Sequence, residues 1–226
     1  MKVPSRTDRI ILFLKAFRAG RVKTRLASRL GDRGALEVYT AMVADLLAKL
    51  QPLRDIVVPY FDAVSKSGDS PSSVASLLSQ GWLKIQRGGD LGERMVNALQ
   101  DVFSEGAERA VLIGSDIPEI DSDLLERYLD ILREYPMAIG PAADGGYYLI
   151  GFQRKHVHPL LFDGIEWSTE QVFEQTLQRA RSLELPCFIG EELRDVDTIE
   201  DLESLLSSGV SAPSLIELLK GYLVGI

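Results

Sequence analysis

Short apolar runs alternate with helical patterns along the chain, and this alternation constrains the fold more than any other feature of the sequence. "RIILFLK" and "AVLIGSD" are apolar runs of the kind that forms strands buried in a sheet. Between them, the segment from Gly34 to Leu50 carries apolar residues at helical spacing. Strands that alternate with helices predict a three-layer α/β/α fold around a mixed, mostly parallel sheet. "MAIGPAADGGYYLIGF" indicates two strands around an Asp-Gly-Gly turn, so we expect one antiparallel insertion there.

The length of 226 residues is enough for one substantial core. We expect a single domain over residues 1–210, followed by a C-terminal helical appendage over residues 211–226. The apolar end of this appendage either packs on the domain or mediates self-association. A short helix is expected near Val74 to Leu78, before a weak strand, "WLKIQ".

No apolar run is long enough for a signal-peptide core or a bilayer span, so we expect a cytoplasmic protein without a membrane span. The one cysteine, Cys187, excludes an intrachain disulfide framework. It lies in the apolar run "PCFI", which is typical of a buried structural thiol.

Positive charge is concentrated at the N-terminal end of an acidic chain. The formal net charge is −8, yet residues 1–33 hold ten Lys or Arg against two acids, a balance of +8. The remaining residues therefore carry −16. An acidic surface argues against nucleic acid as a partner, because phosphate-backbone binding needs a broad basic face. A local basic segment fits a small anionic ligand better.

The basic segment "RAGRVKTRL" (residues 18–26) follows the first predicted strand and leads toward a helix. At such a position, backbone N–H groups and a helix N-terminus face an anion. Gly20 permits a tight turn, Lys23 supplies a compact charge, and Arg21 or Arg25 supplies a bidentate fork. Neither a P-loop nor a G-x-G-x-x-G motif is present. The segment therefore predicts either a phosphate-binding loop or a solvated basic turn.

Aspartates fall where strands are expected to end, which is where ligands bind in open α/β sheets. Asp116 ends "AVLIGSD", and one carboxylate at that point suits Mg²⁺ or Mn²⁺ together with substrate phosphates. The alternative role for Asp116 is in a turn before the next helix. Ser115 is positioned to bond either a ligand or its own backbone.

Asp195 and Asp197 lie two residues apart in "LRDVDTIEDL", and on an extended backbone they point to the same side. Asp197 with Glu200 also fits the D-x-x-E pattern of a capping box at the start of a helix. The pairs Asp90–Glu93 and Ser168–Gln171 fit the same kind of pattern. Capping alone would account for all three pairs, and it is the alternative to a binding role.

Two glycine-rich segments, "QRGGDLGER" and "PAADGGYYLIG", fall at predicted loops. Gly88, Gly89, Gly145 and Gly146 permit either close backbone approach to a ligand or tight turns. Trp167 is expected either to stack on a base or sugar ring or to join the core. "HVH" has no Cys or third His nearby, so a zinc site is not expected.

Six segments, taken in order, resemble a bacterial family of uncharacterised glycosyltransferase-like proteins often associated with radical-SAM enzymes. They are "FLKAFRAGRVKTRL", "GGDLGERM", "GSDIP", "GPAADGGYYLIG", "WST" and "RDVDTIEDL". That family belongs to the nucleotide-diphospho-sugar transferase superfamily with the GT-A fold, and the resemblance runs from about residue 9 to residue 206. The "KTRL" and "DVDT" segments are also similar to phospholactate guanylyltransferase and, more distantly, to molybdenum-cofactor guanylyltransferase. Phe17 departs from the family, which commonly has proline there.

The resemblance implies a role for each motif. Mg²⁺ or Mn²⁺ would be held by Asp116 and Asp197, and the catalytic residues would be Lys23, Asp116 and Asp144. The nucleotide and its phosphates would be bound by Lys15, Gly20, Arg21, Lys23, Thr24, Arg25, Gly89, Asp90 and Ser115. The acceptor would face Gly145, Gly146, Trp167, Ser168 and Thr169.

We therefore expect a metal-dependent transferase that binds a nucleotide-sugar or an NTP and transfers the glycosyl group to a small acceptor. The first alternative is nucleotidyl transfer from an NTP to a phosphorylated acceptor, with release of pyrophosphate. The others are a non-catalytic nucleotide-binding module and a scaffold whose motifs are only caps and turns. The expected partners are a nucleotide or nucleotide-sugar and a small-molecule acceptor, and not nucleic acid.

Overall fold

The structure is a computed structural model that describes residues 7–62 and 84–224. The helix expected near Val74 to Leu78 and the first residues of "WLKIQ" lie outside these ranges. The described strands are β1 (Asp8–Leu14), β2 (Val57–Phe61), β3 (Lys84–Ile85), β4 (Arg109–Ile113), β5 (Met137–Pro141), β6 (Tyr147–Gln153) and β7 (Cys187–Ile189).

These seven strands form one sheet in the order β3-β2-β1-β4-β6-β5-β7. Strand β6 runs antiparallel to its neighbours β4 and β5, whereas the other described pairs are parallel. The mixed, mostly parallel sheet is therefore confirmed. The antiparallel insertion expected around the Asp-Gly-Gly turn is confirmed as well.

The described α-helices are α1 (Thr24–Lys49), α2 (Leu91–Ser104), α3 (Ser122–Ile131), α4 (Val172–Ser182), α5 (Ile199–Ser208) and α6 (Pro213–Val224). Within residues 7–62 and 84–224, no helix has the length and apolar character needed to cross a bilayer.

The helical segment expected from about Gly34 is confirmed as the second part of α1, but the helix begins earlier, at Thr24. Gly31 has φ 71° and ψ 166°, and it joins two helical segments across a kink. In the first segment only Leu26 is buried. A segment with one buried residue shows no apolar stripe, which is why helical spacing did not predict it. Thr24 and Arg25 consequently belong to the first turn of a helix rather than to a loop.

The side chains of β1 alternate between two cores, one on each face of the sheet. Ile10, Leu12 and Leu14 pack with α1 and α3 on one face. Ile11 and Phe13 pack with α2 and α4 on the other. Each fully buried aliphatic side chain contributes about 1.5–3 kcal/mol, so both faces need their helices. The three-layer α/β/α architecture is confirmed.

The C-terminal helix α6 packs on α1, on a different face from the one that covers the sheet. Asp45 of α1 is buried, and its carboxylate oxygens accept the backbone N–H groups of Ser214 and Leu215 at 2.9 and 3.1 Å. A carboxylate at a helix N-terminus satisfies amides that have no partner within the helix. Of the two roles considered for the tail, the structure has it packed on the domain.

The three expected caps have different outcomes. Asp90 caps α2, because its carboxylate accepts the N–H of Glu93 at 2.8 Å. The cap of α5 is Thr198 with Asp201 rather than Asp197 with Glu200, so that prediction is wrong by one residue. Ser168 is also wrong as a cap, because α4 begins after Gln171 without a side-chain cap.

Candidate functional site

The loops after β1 and β4 meet at one edge of the sheet. The two strands are parallel, and Leu12 lies opposite Ile113, so their carboxyl ends are adjacent. A third loop joins them, because the N–H of Val196 donates to the carbonyl of Asp116 at 3.0 Å. This bond places Asp197 beside Asp116 although the chain between them is long.

Four charged side chains at this edge form a lysine–aspartate cluster: Lys15, Lys23, Asp116 and Asp197. The ammonium of Lys23 lies 2.5 Å from Asp116 Oδ1 and 2.9 Å from Asp197 Oδ1. Lys15 Nζ lies 2.8 Å from Asp116 Oδ2. The Lys23 side chain is fully buried, whereas Asp116 and Asp197 are 25% and 34% exposed. The carboxylates are thus held between buried lysine and solvent.

Opposing effects act on the pKa of Asp116. Burial alone would raise it, but the ammonium groups of Lys23 and Lys15 outweigh burial and hold the pKa at about 2. Burial is the largest single effect on the pKa of Lys15 and lowers it, but the charges of Asp116, Asp197 and Asp195 together with the hydrogen bond to Asp116 outweigh burial and raise the pKa. Asp116 is therefore ionised at neutral pH.

A second acidic group adjoins the cluster. Burial, followed by the charges of Asp144 and Asp197, raises the pKa of Asp195. Asp144 is exposed, and its Oδ1 accepts the N–H of Gly146 at 2.9 Å. The structure thus brings Asp144 near the 195–197 loop, while the contacts of its carboxylate within the described residues are those of its own turn.

The basic segment turns tightly before α1 begins. Gly20 has φ 77°, and Lys23 adopts the left-handed conformation at φ 47° and ψ 49°. No side chain caps the α1 N-terminus among the described residues, and its first turn carries no acid. Arg18, Arg21 and Arg25 are exposed around it. Arg25 Nη1 lies 4.0 Å from Asp197 Oδ2, at the margin of the cluster.

Phe17 stands where a proline was expected from the resemblance, and it is buried. Its ring lies 5.1 Å from that of Tyr39 and 6.3 Å from that of Phe61, measured between centroids. The path of the loop is therefore fixed by aromatic packing at this point.

Tyr39 is a residue of this site that the sequence did not reveal. Its ring belongs to the core, but its hydroxyl accepts the N–H of Lys15 at 2.8 Å and lies 3.2 Å from Ser115 Oγ. Ser115 is itself buried. The helical pattern placed Tyr39 on an apolar stripe. The available signal was that a buried tyrosine hydroxyl needs a polar partner.

The first glycine-rich segment lies at the start of α2. The N–H of Gly89 donates to the Glu93 carboxylate at 2.7 Å, while Asp90 is the cap. The described contacts of Gly89 and Asp90 are thus those of a helix start.

The second glycine-rich segment packs on the chain that precedes α4. Gly145 has φ 85°, and a Cβ there would overlap the carbonyl oxygen of Glu170. Its own carbonyl accepts the N–H of Phe173 at 2.9 Å. A tight turn and a close approach to the protein's own backbone therefore account for Gly145.

The "WST" residues lie beside the start of α2. Trp167 is half-buried and packs so closely on Gly92 that a Cβ there would lie 2.8 Å from the indole ring. Ser168 has φ 66°, and Thr169 Oγ1 donates to the carbonyl of Glu166 at 2.7 Å. Both are exposed. Trp167 thus joins the core in part and stays partly exposed.

Within the described ranges, no group of three or more His, Cys, Asp or Glu side chains surrounds a common metal position. Two carboxylates, those of Asp116 and Asp197, do converge on one cation, the Lys23 ammonium. Mg²⁺ is commonly bound by one or two carboxylates together with substrate phosphates and water. The donor set therefore fits a divalent cation whose remaining ligands are phosphate and water oxygens. Cys187 is half-buried, and burial raises the pKa of its thiol to about 12, as suits a structural role.

Residues 60–169 match the family described as "Uncharacterized protein conserved in bacteria (DUF2064)". The crystal structure of a provisionally named nucleotide-diphospho-sugar transferase from Desulfovibrio desulfuricans G20 is 34% identical, with TM-score 0.79 over 96% of this chain and 98% of that chain. The 2-phospho-L-lactate guanylyltransferase of Methanocaldococcus vulcanius is 24% identical over 192 residues, which cover 83% of this chain and 80% of the relative.

A more distant solved structure has the same fold. The 4-diphosphocytidyl-2C-methyl-D-erythritol synthase from Anaerococcus prevotii is 10% identical, with TM-score 0.55 over 89% of this chain and 96% of that chain. The expected GT-A type of fold is confirmed by these likenesses. The chain belongs to the same family as the Desulfovibrio protein, with the nucleotide-diphospho-sugar transferase fold, a DUF2064 segment at its centre and distant homology to 2-phospho-L-lactate guanylyltransferase.

Proposed function

We propose that the protein is a divalent-metal-dependent nucleotidyltransferase that moves a nucleotidyl group from an NTP to a small phosphorylated acceptor. An acceptor oxygen forms a bond to the α-phosphorus, the bond from that phosphorus to the β-phosphate bridging oxygen breaks, and pyrophosphate leaves. The observation that carries the proposal is the lysine–aspartate cluster at the adjoining ends of β1 and β4. Similarity to guanylyltransferases over 83% of this chain supports this reaction class.

The basic segment is suited to the triphosphate. Arg18 and Arg21 make no ion pair with any described residue, so their charges are available to an anion. The uncapped start of α1 adds backbone N–H groups beside them. We assign Lys15, Gly20, Arg21, Lys23, Thr24, Arg25 and Ser115 to nucleotide and phosphate binding. Cationic groups aimed at the pyrophosphate stabilise charge that develops as it leaves.

Asp116 and Asp197 are the residues that would hold the metal. A divalent cation there would supply charge stabilisation for the reacting phosphates without a proton transfer. Lys23 lies between these carboxylates and contacts both. We infer that Lys23 exchanges part of its contact with the carboxylates for contact with the nucleotide.

The acceptor side is proposed for Asp144, Gly145, Gly146, Trp167, Ser168 and Thr169. Trp167 offers a partly exposed ring, and Ser168 and Thr169 are exposed beside it. Gly89 and Asp90, at the start of α2, stay proposed for nucleotide and phosphate binding.

Glycosyl transfer is the second candidate, because the Desulfovibrio relative at 34% identity is named as a nucleotide-diphospho-sugar transferase. The two reactions differ in their small product. Pyrophosphate is released by nucleotidyl transfer, and a nucleoside diphosphate by glycosyl transfer.

The test is a product assay with Mg²⁺, each of the four NTPs or a set of NDP-sugars, and pools of phosphorylated or hydroxylated acceptors. Pyrophosphate release that depends on NTP, metal and phosphorylated acceptor is the expected result. Asp116→Asn is expected to abolish it, while Arg29→Ala, an exposed change on the same helix as the basic segment, is the matched control. Release of a nucleoside diphosphate from an NDP-sugar alone would assign the second candidate instead.

A further inference from the structure

One buried hydroxyl joins the two loops that carry the lysine–aspartate cluster. Tyr39 lies in α1, fully buried, and its oxygen accepts the N–H of Lys15 at 2.8 Å. The same oxygen lies 3.2 Å from Ser115 Oγ and 3.4 Å from the Lys15 carbonyl. Lys15 is the first residue after β1, and Ser115 immediately precedes Asp116. A single atom thus contacts the beginning of both loops.

The Tyr39 hydroxyl can act as a hydrogen-bond donor and as an acceptor at the same time. A tyrosine hydroxyl has one donor and accepts through its oxygen, so it can serve the Lys15 amide and a second partner together. Lys15 also crosses between the same two loops through its side chain, 2.8 Å from Asp116 Oδ2. Two contacts therefore hold the two loops at a fixed separation. One is the hydrogen bonding of the buried Tyr39 hydroxyl, and the other is the ion pair between Lys15 and Asp116.

The ring of Tyr39 is fixed by packing in the core. It packs on Phe17, with 5.1 Å between ring centroids, and it belongs to the core under β1. Burial raises the pKa of this phenol, so it stays protonated and offers hydrogen bonds rather than a negative charge. Such a group acts through the residues it holds.

We propose that Tyr39 is a positioning residue for the nucleotide site: its hydroxyl holds the Lys15 backbone and Ser115 in the register that aligns Lys15 with Asp116. The inference rests on the proposed function for the identity of the ligand. In this role Tyr39, a core residue, places the phosphate-binding Lys15 against the metal-binding Asp116.

The experiment compares Tyr39→Phe with Tyr60→Phe. Tyr60 is equally buried, and its hydroxyl donates to the Ala98 carbonyl at 3.3 Å and lies 3.4 Å from Asp101 Oδ2, on the opposite face of the sheet. Both variants keep the aromatic ring and lose one hydrogen-bonded hydroxyl. The free energy of unfolding in urea is measured for both, so that any loss of stability can be compared between them. Binding of each NTP with Mg²⁺ is measured by titration calorimetry, and hydrogen exchange is followed at the Lys15 amide.

Tyr39→Phe is expected to raise the nucleotide Kd by up to about tenfold, because the binding arrangement of Lys15 must then form without the hydrogen bond that holds it, and to speed exchange of the Lys15 amide. Tyr60→Phe is expected to change neither.

Two results would overturn the inference alone: a Tyr39→Phe protein that binds nucleotide as the wild type does, or equal weakening in both phenylalanine variants. The second would show an effect of general stability. A wild-type protein that binds no nucleotide would instead overturn the proposed function, and this inference with it.

Discussion

Replacing Lys23 by methionine should change stability in a way that depends on pH. Methionine keeps most of the buried aliphatic length and removes the ammonium that lies 2.5 Å from Asp116 and 2.9 Å from Asp197. The pKa of Asp116 is lowered from 3.8 to about 2. Since one pKa unit corresponds to about 1.4 kcal/mol, this lowering represents roughly 2 kcal/mol of net stability at neutral pH, which remains after Lys23 and Lys15 have offset the opposing effect of burial. We expect Lys23→Met to cost about 1–2 kcal/mol at pH 7.

The direction with pH follows from the lowered pKa. A carboxyl with a lower pKa in the folded state stabilises that state above its ordinary pKa, and the contribution is lost as pH falls from 3.8 toward 2. The cost of Lys23→Met should therefore be full at pH 7 and should shrink steadily below pH 4. Urea unfolding of both proteins across this range, in EDTA and without nucleotide, measures the difference.

Arg29→Met is the control, since Arg29 is exposed in the same segment of α1 and should change stability by less than about 0.5 kcal/mol. A cost of Lys23→Met that is the same at pH 3 and pH 7 would refute the electrostatic reasoning and assign the loss to packing. Equal costs for the two variants would refute a special role for Lys23. We also expect the Lys23→Ala protein to bind nucleotide far more weakly than the Arg29→Ala or Arg33→Ala proteins.

Three further predictions test other parts of the structure. Gly145→Ala should cost about 2 kcal/mol or more in urea unfolding, because φ is 85° and the new Cβ would overlap the Glu170 carbonyl; an unchanged midpoint would refute the close approach. Asp45→Ala should cost about 1–3 kcal/mol and speed hydrogen exchange in α6, whose first amides it leaves without partners. Nucleotide-induced thermal stabilisation should require Mg²⁺ and disappear with EDTA or in Asp197→Asn, and persistence in both cases would contradict the proposed metal site.

The position of the site could be predicted from the sequence because it depends on topology. Apolar runs identified β1 and β4, and the residues that follow parallel strands meet at one edge of a sheet. Lys23 and Asp116 were therefore expected near each other. Their direct contact was not expected, because the prediction paired Lys23 with phosphates. Sequence pattern carries no information on which anion a buried cation contacts.

Tyr39 shows a second limit. A tyrosine at helical spacing fits an apolar stripe, and its ring does lie in the core. The hydroxyl partners, Lys15 and Ser115, belong to loops far away in the chain. Only packing of α1 beneath both strands brings them together, so periodicity within α1 predicts the ring and is silent on the hydroxyl.

The helix start at α5 shows how one residue of register decides a role. In "DVDTIED", the patterns Asp197–Glu200 and Thr198–Asp201 overlap, and either fits a capping box. The structure uses Thr198 and Asp201, with the Asp201 carboxylate accepting the N–H groups of both Asp197 and Thr198. The Asp197 carboxylate is consequently left out of the cap. It is this displacement by one residue that turns Asp197 toward Lys23.

The resulting charge arrangement bears on how a nucleotide would bind. Two lysines and two aspartates give the lysine–aspartate cluster a formal charge of zero, so by itself it offers little attraction to a triphosphate. The positive charge available to an anion lies outside it, on the exposed Arg18, Arg21 and Arg25. A divalent cation bound to the two carboxylates would make the cluster itself positive. The basic segment and the metal would then attract the phosphates from two sides, which is why we expect nucleotide and metal to bind together.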